Sequence, residues 1–233
     1  MKTEPNAWRG EDESSGRNHR HRLSRRDLLV LGAVAGGGAL ASSWLQNTAP
    51  LARDVSNNLA AREALALTSS RYDGNSAGDV RLVAFNDFLC PICKLTAPDL
   101  AAAVRDDGRV RIEYIDLAVF GPVAEKAARL GLAVALQDKY SQYHHALMDA
   151  RRPIDQALLR QAVEGVDASW TQAELDLRTY ERKFTAQLNE DAMLAFKLGI
   201  NGTPAFLIGG LLAIGRLDQA QFKTLFAQAR DLS

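Results

Sequence analysis

The hydrophobic pattern in the middle of the chain predicts a strand, a helix and a second strand. Residues 80–85 form a short, mostly apolar run that is typical of a strand, and residues 93–104 are rich in Ala and Leu, as in a helix. Residues 110–115 then alternate between apolar and polar positions. Because a helix that crosses over between two strands usually joins parallel neighbours, this stretch predicts a β-α-β unit.

A helical insert is predicted next, because residues 120–199 carry helical signals and no convincing strand. The signals are interrupted at Asp138, at residues 152–153 and at residues 165–169. These breaks divide the segment into four or five helices.

A hairpin and a final helix are predicted after the insert. Residues 205–208 and 211–214 are apolar runs separated by two glycines, which are typical of a two-residue hairpin turn. Asp218 precedes the last helical segment, and Gln221 follows three residues later, as in a capping box. This order predicts an α/β fold with a helical domain inserted between a βαβ half and a C-terminal ββα half.

The segment before the first predicted strand, residues 42–79, is interpreted as an N-terminal connector. Residues 51–67 have helical character, and the Ser, Gly and Asn residues that follow them indicate turns. No strand is predicted before Val80. Residues 80–233 are expected to form one domain, since a chain of 233 residues with 47% apolar content can bury a full core.

A polar leader opens the chain. The first 26 residues contain seven Lys or Arg residues and no apolar periodicity. Arg25 and Arg26 then precede an apolar, glycine-rich run over residues 28–41 that ends in Ala-Leu-Ala. This arrangement resembles a twin-arginine export signal with a cleavage site, so we expect residues 1–41 to direct export to the periplasm.

An uncleaved membrane anchor over residues 28–45 is the alternative interpretation of the same run. A helix that spans a membrane needs roughly 20 apolar residues, and this run is short and contains several glycines.

The overall charge argues against nucleic acid as a partner. The chain has 28 basic and 28 acidic residues, which give a formal net charge of +0.

Candidate chemistry lies in the only two cysteines of the chain, Cys90 and Cys93, at the predicted junction between strand and helix. Their C-x-x-C spacing in an exported segment indicates a reversible disulfide. The free N–H groups at a helix N-terminus would favour a thiolate at Cys90, and Pro91 suits the first helical turn. Cys93, one turn further on, is expected to be the less exposed partner.

Other interpretations of the two cysteines remain open. A zinc site would need two more ligands, and His19 and His21 lie in the leader. A structural disulfide across so small a loop would constrain little of the unfolded chain, and the two thiols could also be buried and unrelated. We expect redox chemistry without a metal or another cofactor.

Four segments together resemble the DsbA-like family of thiol-disulfide oxidoreductases. They are DFLCPIC at residues 87–93, FGP at 120–122, YSQYHHAL at 140–147 and GINGTPAF at 199–206. The order of the two end motifs around a helical insert makes the resemblance specific. It covers about residues 74–229 and implies a thioredoxin fold that contains the predicted insert.

The resemblance implies site residues beyond the catalytic pair, Cys90 and Cys93. Pro204 matches the family's cis-proline, which lies beside the cysteines and helps to hold an extended substrate segment. Thr203 matches the position that faces the active-site sulfur and the bound peptide. Without the resemblance, Pro204 would be an ordinary turn proline and Thr203 a strand residue.

The implied activity is the introduction of disulfides into exported, cysteine-containing proteins, with a quinone-linked membrane protein of the DsbB type as the reoxidant. Ile92 brings neither charge nor a hydrogen-bond donor to the pair, which predicts a less oxidising disulfide than in relatives with His there. One alternative is therefore an isomerase or reductase that a membrane electron donor keeps reduced. Another is a non-catalytic chaperone or binding module that uses the same groove.

Several further residues invite a role. Asp87 could relay protons to a buried thiol, although a solvated turn carboxylate is the preferred interpretation. His144 and His145 are expected to be structural, because neighbouring helix residues point in different directions. Core faces are predicted at Trp170, Phe184, Leu188 and Phe196.

Overall fold

A mixed β-sheet forms the centre of the protein in the computed structural model, which describes residues 50–232. Its six strands are β1 (Arg53–Asp54), β2 (Tyr72–Gly74), β3 (Val80–Asn86), β4 (Val110–Asp116), β5 (Ala205–Ile208) and β6 (Leu211–Ile214). They lie in the order β1-β6-β5-β3-β4-β2. The central strand β3 runs parallel to β4 and antiparallel to β5, which forms a hairpin with β6. The predicted β-α-β unit and hairpin are therefore confirmed.

The helices of the described residues follow the predicted order. They are α1 (Leu59–Leu65), α2 (Pro91–Asp107), α3 (Pro122–Ala135), α4 (Tyr140–Met148), α5 (Gln156–Glu164), α6 (Trp170–Thr179), α7 (Glu181–Lys197) and α8 (Gln219–Asp231). Helices α3 to α7 form the predicted insert between β4 and β5, and Asp218 and Gln221 form the predicted capping box before α8. The fold is thus a thioredoxin fold with a helical insertion, as predicted.

Both faces of the sheet are covered, because successive side chains of the central strand point in opposite directions. Leu82 and Ala84 of β3 pack in a cluster with Phe222 of α8 and with side chains of α2. Val83 and Phe85 pack on the other face with side chains of α1 and α7. The central strand is therefore held rigidly up to the residue where the cysteine motif begins.

A third apolar cluster fills the helical insert and reaches the two cysteines. Tyr143, Leu147 and Trp170 belong to this cluster, and so do Cys90 and Cys93. The cysteine pair therefore lies where the core of the insert meets the end of the central strand. None of the helices within residues 50–232 has both the length and the apolar composition that crossing a membrane requires.

Two short strands precede Val80, where the sequence predicted none. β1 pairs with β6 and β2 pairs with β4, so they form the two edges of the sheet. Strands of two and three residues are too short to show an alternating pattern, which is why the sequence did not indicate them. The assignment of residues 42–79 as a connector and the other domain boundaries stay predictions, and the leader, residues 1–41, lies outside the described residues.

The predicted core faces of the insert are partly correct. Trp170 and Phe184 are buried and Leu188 is partly buried, but Phe196 is 76% exposed, so its prediction as a core residue is wrong. Helix α7 turns Leu194 and nearby residues toward the sheet. Successive helical residues are rotated by about 100°, so Phe196 points away from that face.

Candidate active site

The cysteine motif begins where the central strand ends. A turn closed by the N–H of Cys90, which donates to the carbonyl of Asp87 at 3.0 Å, leads into α2. Pro91 is the first residue of that helix, where its missing N–H costs no hydrogen bond. Cys90 is the N-cap, and its sulfur accepts a hydrogen bond from the N–H of Cys93 at 3.3 Å. The sulfur therefore lies at the positive end of the helix dipole.

The proline motif lies against the same sulfur. The peptide bond between Thr203 and Pro204 is cis, and β5 follows it beside β3. The Cys90 thiol donates a hydrogen bond to the carbonyl oxygen of Thr203 at 3.4 Å, across 113 positions of sequence. The structure thus brings Cys90, Cys93, Thr203 and Pro204 together, while their functional roles stay predictions.

Both cysteines are unpaired thiols and both are 2% exposed. The prediction that Cys93 is less exposed than Cys90 is therefore wrong, because the Thr203 carbonyl and the apolar cluster of the insert cover Cys90 as well.

The environment of Cys93 disfavours its thiolate. Burial raises the pKa of the Cys93 thiol well above its ordinary value, although the backbone of Asp87 and the hydroxyl of Thr203 act in the opposite direction. That hydroxyl has no hydrogen-bond partner of ordinary geometry among the described residues. Cys93 therefore stays protonated at neutral pH, and a protonated thiol is a poor nucleophile.

Asp87 is a buried carboxylate, not the solvated turn residue that the sequence favoured. It is 1% exposed. Its Oδ1 accepts a hydrogen bond from the N–H of Leu89 at 2.7 Å, and its Oδ2 accepts one from the N–H of Phe120 at 3.0 Å. Burial raises the pKa of Asp87, and these N–H groups oppose the rise. Asp87 thus fastens the turn before Cys90 to the loop between β4 and α3, a contact that no local pattern indicates.

Large apolar side chains remain exposed around this turn. Ile92 lies between the two cysteines, and Val119 and Phe120 lie on the loop that Asp87 holds. Exposed apolar surface beside a reactive group is typical of a site that binds another molecule.

Lys94, directly after the motif, is a positioning residue that the sequence pattern did not indicate. Its ammonium group donates to the carbonyl oxygens of Leu147 at 2.6 Å and Ala150 at 3.1 Å, at the C-terminal end of α4. A cation is favourable beside the free carbonyls of a helix C-terminus. The lysine thereby ties the helix that carries the cysteines to the insert.

The two histidines have structural partners, as predicted. The ring of His144 is buried and stacks on Tyr114 with ring centroids 3.9 Å apart. Burial lowers the pKa of His144 to about 3, so its ring is neutral. His145 instead pairs with Asp73 of β2, with 2.6 Å between Nε2 and Oδ2.

The arrangement suits thiol chemistry. Two thiols lie one helical turn apart, one at the helix N-terminus and one held protonated by burial. Among residues 50–232, no group of three or more His, Cys, Asp or Glu side chains is placed to hold a metal ion.

Known proteins share this fold. Residues 81–227 match the DSBA-like thioredoxin domain family. A solved structure, that of a thioredoxin-like oxidoreductase from Silicibacter pomeroyi, is 31% identical and has a TM-score of 0.69. The alignment covers 74% of this chain and 99% of that chain.

Two curated relatives differ in how much of them the chain covers. The probable disulfide bond formation protein D of Bacillus cereus is 26% identical over 166 residues, which is 65% of this chain and 75% of that protein. The Na(+)/H(+) antiporter NhaA 1 of Mycolicibacterium vanbaalenii is 27% identical over 153 residues, or 64% of this chain but only 24% of the antiporter. The family match spans more than half of the chain and includes both cysteines and the cis-proline. The chain therefore belongs to the DSBA-like thioredoxin domain family of thiol-disulfide oxidoreductases.

Proposed function

We propose that the protein introduces disulfides into exported, cysteine-containing proteins through Cys90 and Cys93. The observation that carries this proposal is the 3.4 Å contact between the Cys90 thiol and the carbonyl of Thr203. It sets a sulfur at a helix N-terminus beside the backbone of Thr203 and Pro204, where an extended substrate would lie. Thr203 and Pro204 are accordingly proposed as substrate-binding residues. The reaction that we propose uses the cysteine pair and no cofactor.

The first step starts from the oxidised protein, in which a disulfide joins Cys90 and Cys93. A substrate thiolate attacks the sulfur of Cys90, so that a mixed disulfide forms and the bond to Cys93 breaks. The electron pair of that bond goes to the sulfur of Cys93. Because burial raises the pKa of Cys93, this sulfur takes up a proton from solvent and becomes a poor nucleophile for the reverse reaction.

The second step releases the product. A second thiolate of the substrate attacks the substrate sulfur of the mixed disulfide, and Cys90 leaves as a thiolate that the helix N-terminus stabilises. Two electrons have then passed from the substrate dithiol to the cysteine pair. We propose a quinone-linked membrane protein of the DsbB type as the partner that reoxidises the pair.

An isomerase or reductase kept reduced by a membrane electron donor is the second candidate. The exposed side chain of Ile92 favours it, because an apolar residue between the cysteines offers no charge or hydrogen bond to a thiolate. The name of the Bacillus cereus relative, a disulfide bond formation protein, favours oxidation instead.

We also propose that the protein acts in the periplasm. The support is the basic leader with Arg25 and Arg26 and the apolar run over residues 28–41, all of which lie outside the described residues. Residues 42–79 would then connect the leader, cleaved or retained as an anchor over residues 28–45, to the domain that begins at Val80.

The equilibrium reduction potential of the pair in the full-length protein, titrated against glutathione, tests the proposal. We expect a value between the strongly oxidising limit of about −120 mV and about −200 mV. A reduction potential below about −200 mV would indicate an isomerase or reductase and contradict the proposed oxidase function. The Cys90→Ser variant separates both from a non-catalytic chaperone, because only a chaperone would keep its activity.

A further inference from the structure

A cavity of about 430 Å³ lies beside the segment that leads into the cis-proline. One wall is the start of the β4–α3 loop, residues 117–119, and the opposite wall is helix α7. Residues 200–202, which directly precede Thr203, form its floor. A volume of this size is typical of sites that hold a small ligand or a side chain.

The cavity offers mostly apolar surface. Leu117 and Val119 line one wall, and Leu188, Ala192 and Phe196 line the other. Phe196 leaves 76% of its surface exposed although it is a large aromatic residue. Burying such a side chain against an apolar partner is favourable, so this surface is suited to an apolar occupant.

Several polar side chains of the cavity lining already have partners. The guanidinium of Arg129 donates to Glu125 at 2.8 Å and to the hydroxyl of Thr185 at 2.9 Å. Asp116 is buried, and its Oδ2 accepts a hydrogen bond from the hydroxyl of Tyr140 at 2.7 Å, while its Oδ1 has no hydrogen-bond partner among the described residues. Arg129 and Glu125 therefore neutralise each other, which leaves neither of them as a counter-charge for a charged occupant.

Two connections join the cavity to the reactive sulfur. The floor continues directly into Thr203, whose carbonyl lies 3.4 Å from the sulfur of Cys90. The wall at Val119 is held to the turn before Cys90 by the hydrogen bond between Asp87 and Phe120. A segment that lies along Thr203 with its own cysteine at Cys90 would therefore reach the cavity within a few residues.

We propose that this cavity is a subsite for a large apolar side chain, aromatic above all, that lies close in sequence to the reacting cysteine of the substrate. The inference rests on the proposed function and adds a sequence preference to it. The enzyme would accordingly favour cysteines with an aromatic neighbour over cysteines in polar segments.

Reduction of the oxidised, full-length protein by a set of dithiol peptides tests the subsite. Each peptide carries one Phe in an otherwise Ser and Gly background, and the Phe is moved through the positions on either side of the cysteine. Each rate constant is divided by the rate constant for glutathione, so that changes in sulfur reactivity cancel. We expect one Phe position to be favoured by roughly tenfold or more over the all-polar peptide.

Three variants on helix α7, two that change the cavity and one control, test whether the preference arises there. Phe196→Ser removes the exposed aromatic wall, and Ala192→Phe fills the cavity from an exposed position, so both are expected to abolish the preference. Met193→Ser is the matched control, because Met193 is an exposed apolar residue of the same helix that does not line the cavity. We expect it to keep the preference.

The outcomes distinguish a failure of the subsite from a failure of the proposed function. A wild-type protein that exchanges with glutathione but shows no preference for any Phe position overturns the subsite alone. The same holds if Ala192→Phe keeps the preference or if Met193→Ser loses it as fully as Phe196→Ser. A wild-type protein with no exchange with glutathione or any peptide would instead refute the proposed function.

Discussion

The Oδ2 atom of Asp87 accepts a hydrogen bond from the backbone N–H of Phe120 at 3.0 Å, and this buried link joins two segments 33 positions apart. An amide at position 87 offers one acceptor oxygen, so Asp87→Asn leaves the N–H of either Phe120 or Leu89 without its partner. We expect the variant to lose about 1–3 kcal/mol of unfolding free energy in urea titrations. The exposed Asp231→Asn is the control, with an expected change of less than about 0.5 kcal/mol. Equal losses in both variants would contradict the role assigned to this contact.

The two thiols are expected to differ in reactivity although they are equally exposed. Burial raises the pKa of Cys93, so at pH 7 very little of it is thiolate, which is the reactive form. Alkylation by iodoacetamide at pH 7 should be at least about tenfold slower for Cys93 in Cys90→Ser than for Cys90 in Cys93→Ser. The difference should vanish in denaturing urea, where the folded environment is lost. Equal rates in the folded variants would show that Cys93 is not held as a thiol.

The same pair of variants should differ in the intermediates that they accumulate. Without Cys93, a mixed disulfide at Cys90 has no resolving thiol in the chain, since no other cysteine is present. We therefore expect Cys93→Ser, mixed with an oxidised peptide, to accumulate a covalent adduct visible by intact mass spectrometry. Cys90→Ser should form little of that adduct at neutral pH. An adduct that forms mainly on Cys93 would reverse the order of the proposed steps.

The pair of His145 and Asp73 should make stability depend on pH. The hydrogen bond that His145 donates to Asp73 raises the pKa of His145. Burial acts to raise the pKa of Asp73, but the hydrogen bonds that it accepts from His145 and Gly74 lower that pKa overall. The raised histidine pKa means that its contribution is present below about pH 6.5 and is lost as the pH rises through the folded value. The lowered Asp73 pKa means that its contribution is present above about pH 4 and is lost on acidification.

His145→Gln should accordingly reduce the free energy of unfolding at pH 5.5 and have little effect at pH 8.5. The side chains are 40% and 31% exposed, so solvent screening limits the expected loss to less than about 1 kcal/mol. Asp73→Asn provides the partner for a double-mutant cycle. A loss that is the same at both pH values, or that adds fully to the loss from Asp73→Asn, would rule out the ion pair as its cause.

The regular part of the fold could be predicted because its signals are local. The runs in β3 and β4, the two glycines of the hairpin and the capping box at Asp218 each specify structure within a few residues of sequence. The cysteine motif could be placed at a helix N-terminus for the same reason. Pairing it with Thr203 and Pro204 required the family resemblance, because nothing local connects segments 113 positions apart.

The errors concern features that depend on distant contacts. Asp87 looked like a solvated turn residue because the loop that buries it follows much later in the chain. Phe196 looked like a core residue because its side chain is apolar, but the packing of α7 on the sheet decides which face of the helix is buried. No sequence pattern indicated the role of Lys94, since the carbonyl groups that it contacts lie at the end of another helix.

Asp116 supplies a second pH-dependent contribution, from the interior of the protein. Burial raises the pKa of Asp116 to about 7, although Arg71 and the hydroxyl of Tyr140 both act to lower it. Between about pH 4 and pH 7 the unfolded chain has lost this proton and the folded protein still holds it. The folded state is therefore expected to lose stability as the pH rises through this range.

Asp116→Asn should remove that loss, since an amide does not titrate and its oxygen can still accept the hydrogen bond from Tyr140. We expect the difference in unfolding free energy between variant and wild type to shift in favour of the variant by about 1–4 kcal/mol from pH 4 to pH 7. Tyr140→Phe removes a donor that lowers the pKa of Asp116, so it should extend the loss to higher pH. Parallel pH profiles for wild type and Asp116→Asn would mean that this carboxyl group does not titrate in that range.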